Sequence, residues 1–385
     1  MAAITGMATR RDVLRTAGPA ALGLALAGCT DDGDGGGGGG GSEQMGESEG
    51  GSSYTVTMAP VGEVTFGSVP ERVVTYFPGY ADMCVALGVE DSLIAMAETD
   101  RYHTRYYDEI EGVSIDVEGM TDILGESGID REIFYELDAD LHLIDPEWLA
   151  NNGAFGLDED DIGEIDSTVA PFLGNTIFRR TDEWHDYEYY TMYEAFEIVS
   201  QVYREEERYE AFSAFHEEFI AGVQDRLPEE RPNALLVFGD GDEPETFSPY
   251  RLTDEGTNKK QYHDLGIEDA LSGTGIAGLS TTDRGQIDYE TMLEVDPDAL
   301  LVRGHEEKSA EEFADTVLAF MENHPVASEL TAVEEERVFR GGPIYQGPIQ
   351  NLVTTERAAR EFFPEEFGDE ELFDRDRVAE IVAGQ

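Results

Sequence analysis

Two periodicities alternate along the chain from Tyr54 onward. Short apolar runs rich in β-branched residues read as buried strands: "RVVTY" from Arg72, "SLIAMA" from Ser92, "DLHLID" from Asp140, "ALLVF" from Ala234 and "DALLVRG" from Asp298. Between them apolar residues recur every three or four positions, the spacing of amphipathic helices. This alternation predicts an α/β architecture with parallel sheets.

The strongest helical pattern places Tyr189, Tyr193, Phe196, Val199 and Tyr203 on one face, then Phe212, Phe215, Phe219 and Val223 on another. The phase breaks between Arg204 and Glu207. The second part, continued to Leu227, would be roughly 33 Å long at 1.5 Å per residue, and Pro228 and Pro232 stop it. It reads as a strut between two lobes.

A comparison of the chain with itself supports two lobes. "IDREIFYELDADLHLID" from Ile129 and "IDYETMLEVDPDALLVR" from Ile287 align without a gap at an offset of 158 residues. Asp130, Glu132, Glu136, Asp138 and Asp140 fall on Asp288, Glu290, Glu294, Asp296 and Asp298. In each copy an aspartate can cap a helix, and a glutamate in the first turn suits the helix dipole. An apolar strand then follows, so the unit is helix, turn, strand.

Composition changes the picture at the surface and at the N-terminus. The 385 residues carry 84 acidic and 25 basic side chains, a formal net charge of −59, with only three lysines: Lys259, Lys260 and Lys308. Bulk electrostatics exclude a nucleic-acid partner, and such a surface suits molar salt, where screening suppresses self-repulsion. With 40% hydrophobic residues the chain can still bury real cores.

Residues 1–28 read as an export signal, with Arg10 and Arg11 before an apolar stretch from Ala17 to Ala27 that is too short for a membrane span. The arginine pair resembles a twin-arginine signal, and "LAGC" resembles a lipobox with Cys29 as the lipidated residue. Residues 29–53 are a Gly/Ser/acid tether reaching roughly 25 to 30 Å. The expected location is therefore the extracellular face of the cytoplasmic membrane. Cys84, in an apolar helical run, reads as a buried thiol.

Four segments together carry a family resemblance. "VPERVVTYFPGYADMCVALGVEDSLIAMAE", the two repeated units and "HPVASELTAVEEERVFRGGPIYQGP" resemble, in order, the iron-siderophore and cobalamin class of ABC-transporter solute-binding proteins. Ala139 stands where that family usually has proline, whereas Pro297 keeps it. The resemblance implies two Rossmann-like lobes with parallel sheets, 54–204 and 229–385, joined by a single rigid helix over 205–228. It also implies little hinge motion, a ligand in the inter-lobe cleft, no enzymatic activity, and an ABC permease with its ATPase as partners. Glu132 and Glu290 match the glutamates with which such proteins dock onto permease arginines. A monomer is expected.

Ligands of open α/β sheets bind beyond the carboxyl ends of the strands. The loops there offer Tyr76 and Tyr80, then Arg101 and Tyr102, then Trp148 in the first lobe. The second lobe offers Tyr250, Arg251, Lys260, Arg303, His305 and Tyr345. Cations are scarce in this chain, so their presence in these loops points to an anionic or carbonyl-rich ligand. Flat aromatic walls with forked donors suit a bulky ferric chelate.

Haem or cobalamin would use the same architecture. A bare zinc, manganese or iron ion would need converging ligands, for which His103, His263 and His305 are the candidates and the neighbouring cations the objection. "GTGIAG" at Gly273–Gly278 has the glycine spacing of a dinucleotide loop but follows a polar segment instead of a buried strand. No resident cofactor is expected.

Overall fold

The computed structural model describes residues 53–278 and 285–385. The signal, most of the tether and Cys29 lie outside these residues. Among the described residues no helix is long and apolar enough to cross a membrane.

The first sheet contains β3 (Val73–Thr75), β4 (Leu93–Met96), β5 (Thr121–Asp122) and β6 (Leu141–Leu143), all parallel, in the order β5-β4-β3-β6. A further parallel bridge joins His142 to Phe172 beyond β6. The second sheet has the order β11-β10-β7-β8, with β7 (Asn233–Phe238), β10 (Ala299–Arg303) and β11 (Val338–Arg340) parallel. Antiparallel β8 (Ser248–Tyr250) and short parallel β9 (Glu268–Asp269) share the outer edge of β7. In both sheets the first strand lies inside the sheet, β3 beside β6 and β7 beside β10. All five strands expected from apolar runs are present.

A hairpin not expected from the sequence, β1 (Tyr54–Met58) with β2 (Gly62–Phe66), precedes the first parallel sheet. Its alternation is clear once seen: Val56, Met58, Val64 and Phe66 point inward between exposed threonines and a glutamate.

The internal repeat is built by the same devices twice. Helices α2 (Glu132–Leu137) and α8 (Tyr289–Val295) both end on an aspartate in the left-handed region, Asp138 and Asp296, each with φ of 46°. Two residues on, Asp140 accepts hydrogen bonds from the backbone of Glu71 and Arg72 at 2.9 Å, just ahead of β3. Asp298 likewise accepts from the backbone of Asn233 at 2.9 Å, at the start of β7. The paired acids thus tie β6 to the entry of β3 and β10 to the entry of β7.

Helices α1 (Pro78–Ala86), α3 (Pro146–Asn151) and α4 (Glu159–Thr168) flank the first sheet. Then α5 (Met192–Tyr203), capped by Thr191 and closed by Arg204 at φ 58°, turns into α6 (Glu206–Gln224). The break therefore falls where the phase of the pattern changes. The chain enters the second sheet after α6, but α6 is no isolated strut. Phe212, His216, Phe219 and Val223 are buried against α5 and the C-terminal helices, and His216 Nε2 lies 3.1 Å from Asn351 Oδ1.

The C-terminal stretch also departs from a simple second lobe. The helix Pro348–Phe362 packs on α1 of the first lobe and on α7 (Lys260–Asp264) of the second. Its free N-terminal amides are met by fully buried Asp82 of α1, whose Oδ2 accepts from Ile349 at 2.8 Å and Gln350 at 3.3 Å. Gly79 and Gly347 allow the crossing: a Cβ on Gly347 would sit 2.5 Å from the Gly79 carbonyl oxygen.

Alternate residues of the second sheet serve different cores. Leu236, Ala299 and Leu301 join a hydrophobic core that continues through the first lobe, whereas Leu235, Val237, Leu300 and Val302 pack with Phe313, Val317 and Met321 on the outer face. Residues 51–385 form one compact unit.

Candidate ligand cleft

The strand ends of both sheets open onto one cavity of about 200 Å³. Its walls come from Tyr76 after β3, Glu98 and Arg101 after β4, and Trp148 of α3 with Asn152, Ala154 and Phe155 beyond it. Phe178 and Arg179 enter from the loop after Phe172. The second lobe adds Phe238 at the end of β7, Ser248 and Tyr250 of β8, and Ile344 and Tyr345 after β11. A larger groove of about 770 Å³ runs along α6 past Phe215 and Leu372, but no strand-end loop reaches it.

Aromatic rings form a continuous wall. Tyr76 packs edge-on to Trp148 at 5.8 Å and against Phe155 at 5.3 Å, and Trp148 meets Phe178 at 5.4 Å. Phe178 then crosses to the second lobe, 4.9 Å from Tyr345. The Arg179 guanidinium lies over both Trp148 and Phe178, at 5.4 and 5.2 Å. Both cleft arginines are held by carboxylates of the chain: Arg179 by Asp182 at 2.9 and 3.3 Å, Arg101 by Glu98 at 2.8 Å. The other oxygen of Glu98 accepts from the Tyr76 hydroxyl at 3.3 Å.

Glu98 has φ of 56°, a strained conformation for a glutamate, and burial raises its pKa although Arg101 opposes the shift. Desolvation lowers the Arg101 pKa, but Glu98 and Tyr345 more than reverse this. Burial keeps the Tyr76 and Tyr345 hydroxyls protonated well beyond neutral pH.

Five expected residues therefore meet in the cleft: Tyr76, Arg101, Trp148, Tyr250 and Tyr345. The other six lie elsewhere because their polar atoms are engaged or turned away. Tyr80 faces inward from α1, its hydroxyl donating to the Asn175 carbonyl at 2.9 Å and accepting from the Asn175 amide at 3.0 Å. Tyr102 pairs with the Tyr107 hydroxyl at 2.5 Å, and Tyr107 in turn donates to Asp82. Arg251 binds Asp269 at 3.3 Å, and Lys260 binds Asp264 at 2.8 Å. Arg303 is fully buried behind Tyr250, its guanidinium 4.6 Å from that ring. His305 is buried with its ring 5.6 Å from Phe313.

The histidines proposed for a bare metal ion do not converge either. His263 Nε2 is engaged by the Leu252 carbonyl, and none of His103, His263 and His305 lines the cleft. Among the described residues no group of three or more His, Cys, Asp and Glu side chains could hold a metal ion. At Gly273–Gly278 no helix follows directly in the described residues, the next being α8. The sequence pattern does not single out Arg179, Glu98 or the phenylalanines. Arg179 follows an isolated bridge at Phe172 that no apolar run announces; its signal was the charged and aromatic stretch "FRRTDEWHDYEYY" in a cation-poor chain.

Comparison with known proteins agrees with this architecture. The profile of the family described as "Periplasmic binding protein" matches residues 73–345. No curated protein sequence matches the chain. Among solved structures, the haem-binding protein HmuT has a TM-score of 0.55 at 16% identity, covering 81% of this chain and 91% of its own. The petrobactin-binding protein YclQ of Bacillus subtilis has a TM-score of 0.54 at 15% identity, with 83% and 100% covered. Helicobacter pylori CeuE with Ni(II) bound has a TM-score of 0.57 at 12% identity, with 86% and 96% covered. At these identities the structures attest the fold, and the profile match over most of the chain attests the family: this chain belongs to the periplasmic binding proteins, with two α/β lobes closing on a strand-end cleft.

Proposed function

We propose that the protein is the solute-binding component of an ABC importer and captures a ferric siderophore or similar anionic, aromatic iron chelate between its lobes. The observation that carries this reading is the wall of Tyr76, Trp148, Phe155, Phe178 and Tyr345 crossed by the guanidinium groups of Arg101 and Arg179. Rings offer stacking surface, and arginine forks donate to outward-facing oxygens of a chelate. The names of the structural neighbours include haem, petrobactin and Ni(II), which cover both this reading and its alternatives. Haem, with two propionates, and cobalamin would use the same wall and are alternative ligands.

A cavity of about 200 Å³ is smaller than usual small-molecule sites, which start near ~300 Å³. Arg101, with 44% of its side chain exposed, is the wall element freest to swing as a chelate enters. Delivery involves a permease and ATPase, with Glu132 and Glu290 as docking residues. Both are exposed, each in the first turn of its copy of the repeat. Twin-arginine export and lipidation of Cys29 would hold the protein at the outer face of the membrane, working in high salt as a monomer.

The test is a fluorescence and thermal-shift titration in molar salt against ferric catecholate and hydroxamate chelates, haem, cobalamin, and free iron and nickel. Trp148 and Trp184 are the only tryptophans and lie 6.2 Å apart at the cleft, so a bound ferric chelate should quench the emission. A ligand at a hundredfold excess over its Kd stabilises by about 2.7 kcal/mol. Response to an anionic chelate and not to free ions supports the reading; response to free metal alone overturns it.

A further inference from the structure

Behind Tyr250 the second lobe buries two cations that no carboxylate pairs. Arg303 is fully buried and Lys259 is 1% exposed, and among the described residues neither has an acidic oxygen within 4 Å. Arg303 spends Nε on the Gly341 carbonyl at 3.2 Å and Nη2 on the Asn258 carbonyl. Its Nη1 has no partner. The side-chain amide of fully buried Asn258, next to Lys259 in the turn Thr257–Lys259, also has an unpartnered Nδ2, as does its Oδ1 facing Gly256. The carboxylates whose fields reach Lys259 are Asp254 and Asp269, and Asp269 is engaged by Arg251.

A buried guanidinium with an unmet donor, next to an unpartnered amide and a second buried cation, is strongly unfavourable unless an anion joins them. Among the described residues no carboxylate pairs with either cation, so an anion from solution would meet the need. We propose that Arg303, Lys259 and Asn258 form a binding site for a small monovalent anion, chloride in a saline medium, which completes the core of the second lobe. Ring geometry separates the site from the cleft. Tyr250 lines the cleft, Arg303 lies 4.6 Å from its ring, and none of the three site residues is a cleft-wall residue. Burial drives the Lys259 amine down to about 7, and an adjacent anion would restore its charge.

The purified full chain is unfolded thermally at constant sodium and ionic strength while chloride replaces gluconate. The midpoint should climb with the logarithm of chloride once the site begins to fill. Crystals grown in bromide should show an anomalous peak between Arg303 Nη1 and Asn258 Nδ2. Asn258→Asp supplies the missing charge from the chain, so it should fold and lose most of the chloride dependence; Arg303→Met should lose it too. Saturating a cleft chelate should leave the dependence in place. Equal midpoints in chloride and gluconate, bromide only on the surface, or undiminished dependence in Asn258→Asp would overturn the site. Loss of the dependence on chelate binding would show instead that these cations belong to the cleft ligand.

Discussion

Arg179 and Asp82 show how differently single residues can be used in this fold. Arg179 lies over the rings of Trp148 and Phe178 and is held by Asp182, so its fork is set before a ligand arrives. Arg179→Ala should weaken an anionic chelate about ten- to a hundredfold, the worth of one charge-assisted hydrogen bond, and a neutral ferric hydroxamate far less. Competitive fluorescence titration of the two chelates measures this. Asp82 is a buried acid whose pKa burial raises to about 7, although Tyr107 and the Ile349 and Gln350 amides favour its charged form. Its folded value lies above the unfolded 3.8, so the native state binds the extra proton between about pH 4 and 7 and this contribution to stability is lost as pH rises through that window. Asp82→Asn should flatten that part of the profile in urea midpoints taken from pH 4 to 8. Residue type and strand-end position made Tyr76, Arg101, Trp148, Tyr250 and Tyr345 legible in the sequence. The inward turn of Tyr80 and the burial of Arg303 were not, because facing depends on partners, Asn175 and Gly341, that lie 95 and 38 residues away.

Among the elements, the strands were the most readable part of the chain. Runs such as "ALLVF" are buried on both faces and leave no ambiguity of register with solvent. The repeat was readable because its acids have structural work: Asp138 and Asp296 end helices, and Asp140 and Asp298 brace the neighbouring strand. The placement of the helix Pro348–Phe362 was not, since its contacts with α1 are tertiary. That contact rests on a backbone crossing without side chains. Gly347→Ala would drive a methyl group into the Gly79 carbonyl and Asp82, costing about 1–3 kcal/mol of overpacking or displacing the helix. Thermal unfolding reads the cost, and chelate affinity should fall with it because Tyr345 stands two residues before the crossing.

On the scale of the whole molecule, capture and delivery should separate. Glu132 and Glu290 lie outside the cleft wall, in the equivalent helices of the two lobes. Replacing both with alanine should leave chelate titrations unchanged and abolish uptake in cells; a loss of binding would sink the docking assignment. The Tyr106 hydroxyl of the first lobe and Arg357 both engage buried Glu306 of the second, at 2.8 Å in the case of Arg357, so the lobes share charged as well as apolar contacts.

The return of the C-terminal helix to α1 also bears on how the protein is made. As the chain leaves the ribosome, α1 emerges roughly 270 residues before the amides that Asp82 must cap, which belong to Ile349 and Gln350. Until then Asp82 has an unfinished site and the face of α1 beneath Leu352 has no cover. The packing around α1 is therefore complete only once the helix Pro348–Phe362 has been synthesised.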